Sequence, residues 1–294
     1  MYKPGIWSKV SYVILVLIAV VVIMPIVMMV IGSVSEPGHI EANYSLIYDE
    51  YNFSNEYATL KTTTSTLTIK QYLTVLLGKL DILLGFWNGI YLVVPILMFG
   101  LVIAVTGGYA FAKFDFWGKQ IFLFAYILVM LLPTQVTLVP QFIFFYQINL
   151  IGSRWAVILP GIFSTFGVFL IYQFMRKIPD APIESAGLEG ASELRIFWSI
   201  VLPQCRSGMI AYIMLTLIDY WNMIEQPLIL LNSEAQYPLS VLLRTVNRNE
   251  LGIAFASGVL YMLPMFLLFM LISDDLVEGI SNTMPQIMKK GGKN

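Results

Sequence analysis

An all-α membrane protein with six transmembrane helices is the fold class that this sequence predicts. Two observations carry that expectation. Of the 294 residues, 58% are hydrophobic and 12% are charged, against about 25% charged in an ordinary soluble domain. Mean hydropathy is +0.77, and a soluble fold of this size lacks the interior to hide so much apolar side chain. Secondly, apolar runs long enough to cross a bilayer, about 20 residues, recur at 11–31, 87–112, 120–144, 155–175, 207–231 and 253–273.

The run at 11–31 holds no charged residue. It is longer than the apolar core of a secretory signal and lacks an A-x-A-like cleavage site, so residues 1–31 are expected to be an N-terminus and a retained first helix. Segment 32–86 is the longest polar stretch and is expected to be extracellular. It mixes Thr62 to Thr66 with Tyr44, Tyr48, Tyr51, Phe53 and Tyr57. Aromatic faces suit sugar stacking, whereas the plainer reading is a small packed subdomain or an aromatic interface belt. Residues 67–84 read as an amphipathic stretch on the membrane surface. Asn43-Tyr-Ser45 and Asn52-Phe-Ser54 match the glycosylation pattern, a weak three-residue signal that would mean little were the protein bacterial.

Residues 87–294 are expected to form a five-helix core. Pro95, Pro160 and Pro264 lie inside spans, where neighbouring groups re-satisfy the freed backbone. Pro133 and Pro140 are expected to kink or end the third span. The fifth carries Asp219 and Glu225. Ionisable groups at membrane depth cost about 2.5–3.5 kcal/mol on insertion scales, so they face a cavity or a partner.

Basic residues orient the chain. With the N-terminus inside, the cytoplasmic side carries Lys3, Lys9, Lys113, Lys119, Arg176, Lys177, Arg195, Arg206, Lys289, Lys290 and Lys293. The outer side carries Lys61, Lys70, Lys79, Arg154, Arg244 and Arg248. Eleven against six is expected to place both termini of a multi-pass protein in the cytoplasm.

Several chemistries are excluded. A formal net charge of −1 offers no basic footprint for nucleic acid. One cysteine, Cys205, and one histidine, His39, leave no disulfide framework, zinc centre or Ser-His-Asp site. The chain lacks a G-x-x-x-x-G-K-[ST] loop. We therefore expect no catalytic residue, no metal and no cofactor in this chain.

The segment from Arg176 to Pro203 is the most informative. Asp180 stands where an N-cap satisfies free amides, and Pro182 suits a first helical turn. Gly190 permits a positive φ at the end of that short helix. Ser192 can cap a second helix ending near Leu202, after which Pro203 opens the next span. Paired helices with small residues and an exposed Glu read either as a docking surface or as a solvated re-entry loop.

Glu184-Ser185-Ala186, Gly190 and Ile200-x-Leu202-Pro203 resemble the EAA loop of binding-protein-dependent ABC importers, E-A-A-x-x-x-G, nine residues, then I-x-L-P. Spacing agrees throughout, and Ser185 replaces the first alanine with another small residue. Trp87-Asn88-Gly89 through Gly108-Tyr109-Ala110-Phe111-Ala112 resembles the second-span region of carbohydrate permeases. Leu132-Pro133, Ile158-Leu159-Pro160, Tyr220-Trp221-Asn222 with Pro227-Leu228, and Tyr237-Pro238-Leu239 extend the likeness. The chain is most similar to the sugar-permease branch of type I importers, on the side of the maltose importer's smaller permease subunit. Residues 32–86 fall outside it.

The resemblance implies the type I importer permease fold in a bacterial inner membrane, with a cytoplasmic coupling helix in loop 176–203. It implies a second permease subunit, two ATPase subunits that bind ATP and Mg, an extracellular or periplasmic solute-binding protein, and a sugar substrate, within membrane lipid. Glu184 would pair with a basic residue of the ATPase; exposed pairs contribute only about 0–1 kcal/mol, so shape should dominate. Ser185 and Ala186 would pack in the ATPase cleft, Gly190 would set the bend, and Leu202 and Pro203 would close the motif. Trp221 and Asn222 would line the cavity or pack between helices. Glu225 and Gln226 would touch substrate hydroxyls or the outer gate, or stand wetted at the outer interface. Asn232, Gln236, Asn247 and Asn249 would meet the sugar or the binding protein, or merely connect helices.

Three rival readings are weaker. An ion-coupled secondary transporter would need an ion site and often internal repeats. A membrane enzyme would need more than the Asp274, Asp275 and Glu278 cluster. A non-sugar ABC permease is compatible with the loop, and the resemblance in the second and fifth spans argues against it.

Overall fold

The computed structural model of the chain describes residues 6–36, 67–78, 80–244 and 250–291. The tyrosine-rich stretch, His39, both glycosylation patterns, Asn247 and Asn249 lie outside the described residues. The described residues are helical apart from connecting turns and one antiparallel bridge, Ser35 to Leu67. They divide into two compact units, Met1–Leu84 with Leu242–Leu263, and Gly85–Val241 with Pro264–Asn294.

In the first unit, helix α1 (Ile6–Val34) leaves its apolar side chains almost entirely exposed between Val10 and Ile31. Such a surface needs lipid or apolar partners around it. Its C-terminal end packs through small residues: the Phe255 ring sits over Gly32, and the Met29 sulfur sits against Gly258. Within the stretch 67–84, expected to be amphipathic, α2 (Lys70–Leu73) runs into a π turn at Thr74–Gly78, and a further helix begins at Leu80. Gln71 and Val75 are buried. The Gln71 amide donates to the Ser35 carbonyl, and the Tyr72 hydroxyl donates to Ser33 Oγ at 2.7 Å. This segment is tied to the end of α1 because its buried side chains find their polar partners there.

Helix α3 (Leu80–Lys113) starts seven residues before the expected 87 and passes Pro95 unbroken. It is followed by α4 (Lys119–Met130), α5 (Thr134–Gln147), α6 (Arg154–Ile162) and α7 (Thr165–Met175). Next come α8 (Ala181–Leu188), α9 (Glu193–Gln204, with a π turn at Phe197–Val201), α10 (Arg206–Trp221) and α11 (Glu225–Leu230). Short α12 (Leu239–Leu242) precedes the 41-residue α13 (Leu251–Gly291).

Among the described residues, four helices are long and apolar enough to cross a membrane alone: Val10–Val34, Asp81–Lys113, Arg154–Met175 and Leu251–Ser273. Two pairs, bent by 102° and 70°, raise the number to six if each is one span. The third expected span is thus broken between α4 and α5. Pro133, at φ −59° and ψ 140°, causes the break, since it has no N–H and disfavours helix in Leu132. Pro140 sits inside α5 without ending it.

The fifth expected span, 207–231, is also not continuous. It stops at Trp221, where Asn222 Nδ2 donates to the Ile218 carbonyl at 2.6 Å. The buried Ser240 hydroxyl holds the freed Met223 carbonyl at 2.6 Å.

Helix α7 packs against both α4 and α10. Tyr212, fully buried, lies over Gly100 and Gly167. At Gly108 a Cβ would come within 2.7 Å of Ile171 and 2.9 Å of the Tyr172 backbone nitrogen. Backbone cannot rotate away, so Gly108→Val must push α3 from α7, at a cost of about 1–3 kcal/mol or more. Thermal unfolding in detergent should show a clear drop for Gly108→Val and little change for Gly187→Ala, whose Cβ meets open space. Equal melting of both would contradict the tight crossing.

Candidate functional site

Loop 176–203 folds into the two expected short helices. Pro182 lies in the first turn of α8, where its missing N–H costs nothing. Asp180, expected as the N-cap, makes no side-chain cap bond and has helical φ and ψ. Its carboxylate is taken by Lys113, at 2.6 Å. Gly190 has φ +86°. Its N–H reaches Gly187 O at 3.0 Å, and Ala191 N–H reaches Ala186 O at 3.0 Å. That is a complete Schellman turn, which needs the left-handed residue. Ser192 caps α9 by accepting from Arg195 N–H at 3.4 Å.

Glu184 and Ser185 are exposed. The Ser185 hydroxyl donates to Ala181 O at 2.8 Å, so serine behaves as a small residue with its polar group already satisfied. Ala186, expected in a partner's cleft, is half-buried against the chain's own core, as are Ile183 and Leu202. Pro203 does not open the next span. It lies within the last turn of α9, and α10 starts after the bend at Cys205. The preceding π turn accommodates the carbonyl that proline leaves without a donor. Three apolar side chains stand out from this region: Leu188 at 91%, Leu194 at 73% and Trp198 at 63% exposure.

The C-terminal end of α3 grips both short helices. Lys113 Nζ, on a side chain 8% exposed, donates to Ile178 O and Asp180 Oδ1, each at 2.6 Å. One turn earlier, the Tyr109 hydroxyl donates to Glu193 Oε2 at 3.4 Å, and its ring lies 5.0 Å from Phe197. Beneath them, Val105, Met175, Ile178, Ile196, Phe197 and Val201 belong to one buried cluster.

The two helix breaks meet at a cavity of about 430 Å³, lined among others by Thr134, Gln135, Asp219, Asn222, Glu225 and Gln226. Its size falls within the usual range for small-molecule sites. Gln135 Nε2 donates to Glu225 Oε1 at 3.4 Å across it. Asn222, Glu225 and Gln226 are brought together as the sequence suggests. Trp221 does not line the cavity: it is buried, 5.9 Å edge-to-face from Phe86, with its ring over Gly89.

Asn232 is exposed, with its amide beside Gly152. Gln236 is half-buried in the Glu234–Gln236 turn. Asn88 organises this loop. Its Nδ2 donates to Ala235 O at 2.8 Å and Tyr237 O at 3.2 Å, while its Oδ1 accepts from Arg154 at 2.8 Å. The Arg154 guanidinium in turn lies 4.8 Å above the Tyr91 ring.

Sequence reasoning missed Tyr109 and Lys113, the exposed Leu188, Leu194 and Trp198, the Asn88–Arg154 link, and Thr134 with Gln135. An exposed leucine one residue before Glu189 in a short helix was a readable signal. The others have no local one.

Residues 96–281 match the family described as binding-protein-dependent transport system inner membrane component. The arabinooligosaccharides transport system permease protein of Halalkalibacterium halodurans is 26% identical over 220 residues, 74% of this chain and 79% of that protein. The diacetylchitobiose uptake system permease protein of Streptomyces coelicolor is 23% identical over 282 residues, 94% of this chain and 88% of that one. In fold, a permease chain from the crystal structure of a bacterial ABC transporter involved in the import of the acidic polysaccharide alginate matches 93% of this chain and 98% of its own, with TM-score 0.76 and 20% identity.

Proposed function

The chain belongs to the inner membrane components of binding-protein-dependent transport systems, and from that premise we propose that it is the permease subunit of an ATP-driven oligosaccharide importer. It forms half of the translocation pathway beside a second, different permease subunit. A solute-binding protein delivers sugar from outside. Two ATPase subunits in the cytoplasm bind ATP and Mg and supply the energy. Both termini of this chain are cytoplasmic.

The observation that carries the coupling assignment is the exposed knob of α8. It offers Glu184, Ser185 and Leu188 outward, is closed by the left-handed Gly190, and stands on the Lys113 and Tyr109 grips. ATP closes the ATPase pair, which displaces α8. The grips pass that displacement to α3, and thence to the helices packed on it. Such motion needs no covalent chemistry in this chain; it needs a rigid lever. Membership of the family and sugar-transport relatives support the substrate class.

The test is purification of the tagged chain from its host in mild detergent, with subunit stoichiometry, followed by uptake into vesicles. The expected result is a second permease and two ATPase copies, strictly ATP-dependent uptake, and loss of the ATPase from a Glu184→Lys, Gly190→Pro variant. Uptake driven by an ion gradient without ATP would replace this reading with a secondary transporter.

A further inference from the structure

We propose that the cavity between the two helix breaks selects sugars by charge, so that this permease carries neutral or amino oligosaccharides and opposes sugars bearing carboxylates or phosphates. The inference rests on the reading above that these residues line the translocation pathway.

Two acidic side chains line the cavity, Asp219 and Glu225, and both are exposed. Among the described residues, no Lys, Arg or His lines it. The remaining polar groups are the amides of Gln135, Asn222 and Gln226 and the hydroxyl of Thr134. Helix ends do not reverse the sign. Helix α5 and the short α11 begin at the cavity with their positive ends, and α10 finishes there with its negative end; at about half an elementary charge or less each, their net does not outweigh two carboxylates.

The hydrogen-bonding chemistry agrees. Carboxylates only accept, so they suit hydroxyl and ammonium donors of a sugar. A uronate or phosphate brings only acceptors and a like charge at its ionised group. Glu225 is held in place by Gln135, and Asn222 by its bond to Ile218 O. The acceptors therefore stand on braced backbone at two helix breaks, not on a mobile loop. The alginate importer shares the fold at 20% identity; its acidic cargo is the kind that this lining opposes.

The test uses the assembled transporter in vesicles, with Cys205→Ser removing the native thiol and Asn222→Cys placing a probe in the cavity. Modification rates are measured with a trimethylammonium-bearing and a sulfonate-bearing methanethiosulfonate, each normalised to a free thiol. The cationic reagent should be favoured by roughly tenfold or more, and Asp219→Asn with Glu225→Gln should bring the ratio close to one. A normalised ratio near one in the parent overturns charge selection. So does uptake of trigalacturonate above both maltotriose and the glucosamine trisaccharide. The underlying reading fails separately: if complete modification of the cysteine leaves sugar uptake intact, the cavity is not on the pathway, whatever its charge preference.

Discussion

Leu188→Asp should abolish ATP-driven uptake, lowering it by about a hundredfold, while the chain still inserts and pairs with its permease partner. Leu188 is 91% exposed at the end of α8 and makes no contribution to the chain's own core. In the docking role proposed for α8, Leu188 would enter the partner's cleft. Burying it there is worth about 1.5–3 kcal/mol, and placing a carboxylate in the same cleft adds a desolvation cost. Together these exceed the roughly 2.7 kcal/mol that a hundredfold change requires. Leu188→Met, of similar volume, should retain most uptake. Parallel measurement of uptake, ATP hydrolysis and co-purified ATPase checks the pair. Normal uptake by Leu188→Asp would remove α8 from the docking surface.

Lys113→Met should leave ATP hydrolysis in place and lower uptake per ATP by roughly one to two decades. Methionine fills the buried stem but cannot donate to Ile178 O or Asp180 Oδ1. Losing a buried donor costs about 1–3 kcal/mol, more when it is charged, and the loss falls where the loop is joined to α3. The pair is asymmetric, with 8% exposure for the Lys113 side chain and 69% for Asp180. Asp180→Ala, which leaves a buried ammonium with one carbonyl, should therefore destabilise the chain more than Lys113→Met does. Exchanging the charges, Lys113→Glu with Asp180→Lys, should not restore coupling, because a carboxylate has no proton for the Ile178 carbonyl. A wild-type ratio of sugar moved to ATP consumed in Lys113→Met would show that this grip transmits nothing.

Much of the molecule was legible before its structure. Apolar runs of bilayer length mark where helices must lie, since unpaired backbone is too costly in lipid. The loop signal was equally local: Pro182, Gly190 and Ser192 each act through their own φ, missing donor or side-chain cap, and each does in the fold what its chemistry requires. Local chemistry left alternatives open where a tertiary partner competed for the same group. Asp180 has the chemistry of an N-cap, yet Lys113 offers it a charge. Ala186 has the size for a partner's cleft, yet the chain's own core lies behind it. Trp221 reads as a cavity aromatic or as packing between helices, and Gly89, by opening a seat for its ring, decides for packing.

Composition, spacing and local backbone chemistry thus determined the class, the places of the apolar helices and the two-helix form of loop 176–203. Only the tertiary structure decided which breaks face each other, which acids share a cavity, and which lysine holds the loop. Lys113 and Asp180 are 67 residues apart, and Asn88 and Tyr237 are 149 apart. Hydrophobic periodicity reports on a few neighbouring turns at most. Contacts over such separations depend on how helices cross, and the crossings are set by paired shapes, such as Gly108 under Ile171, that neither segment reveals by itself.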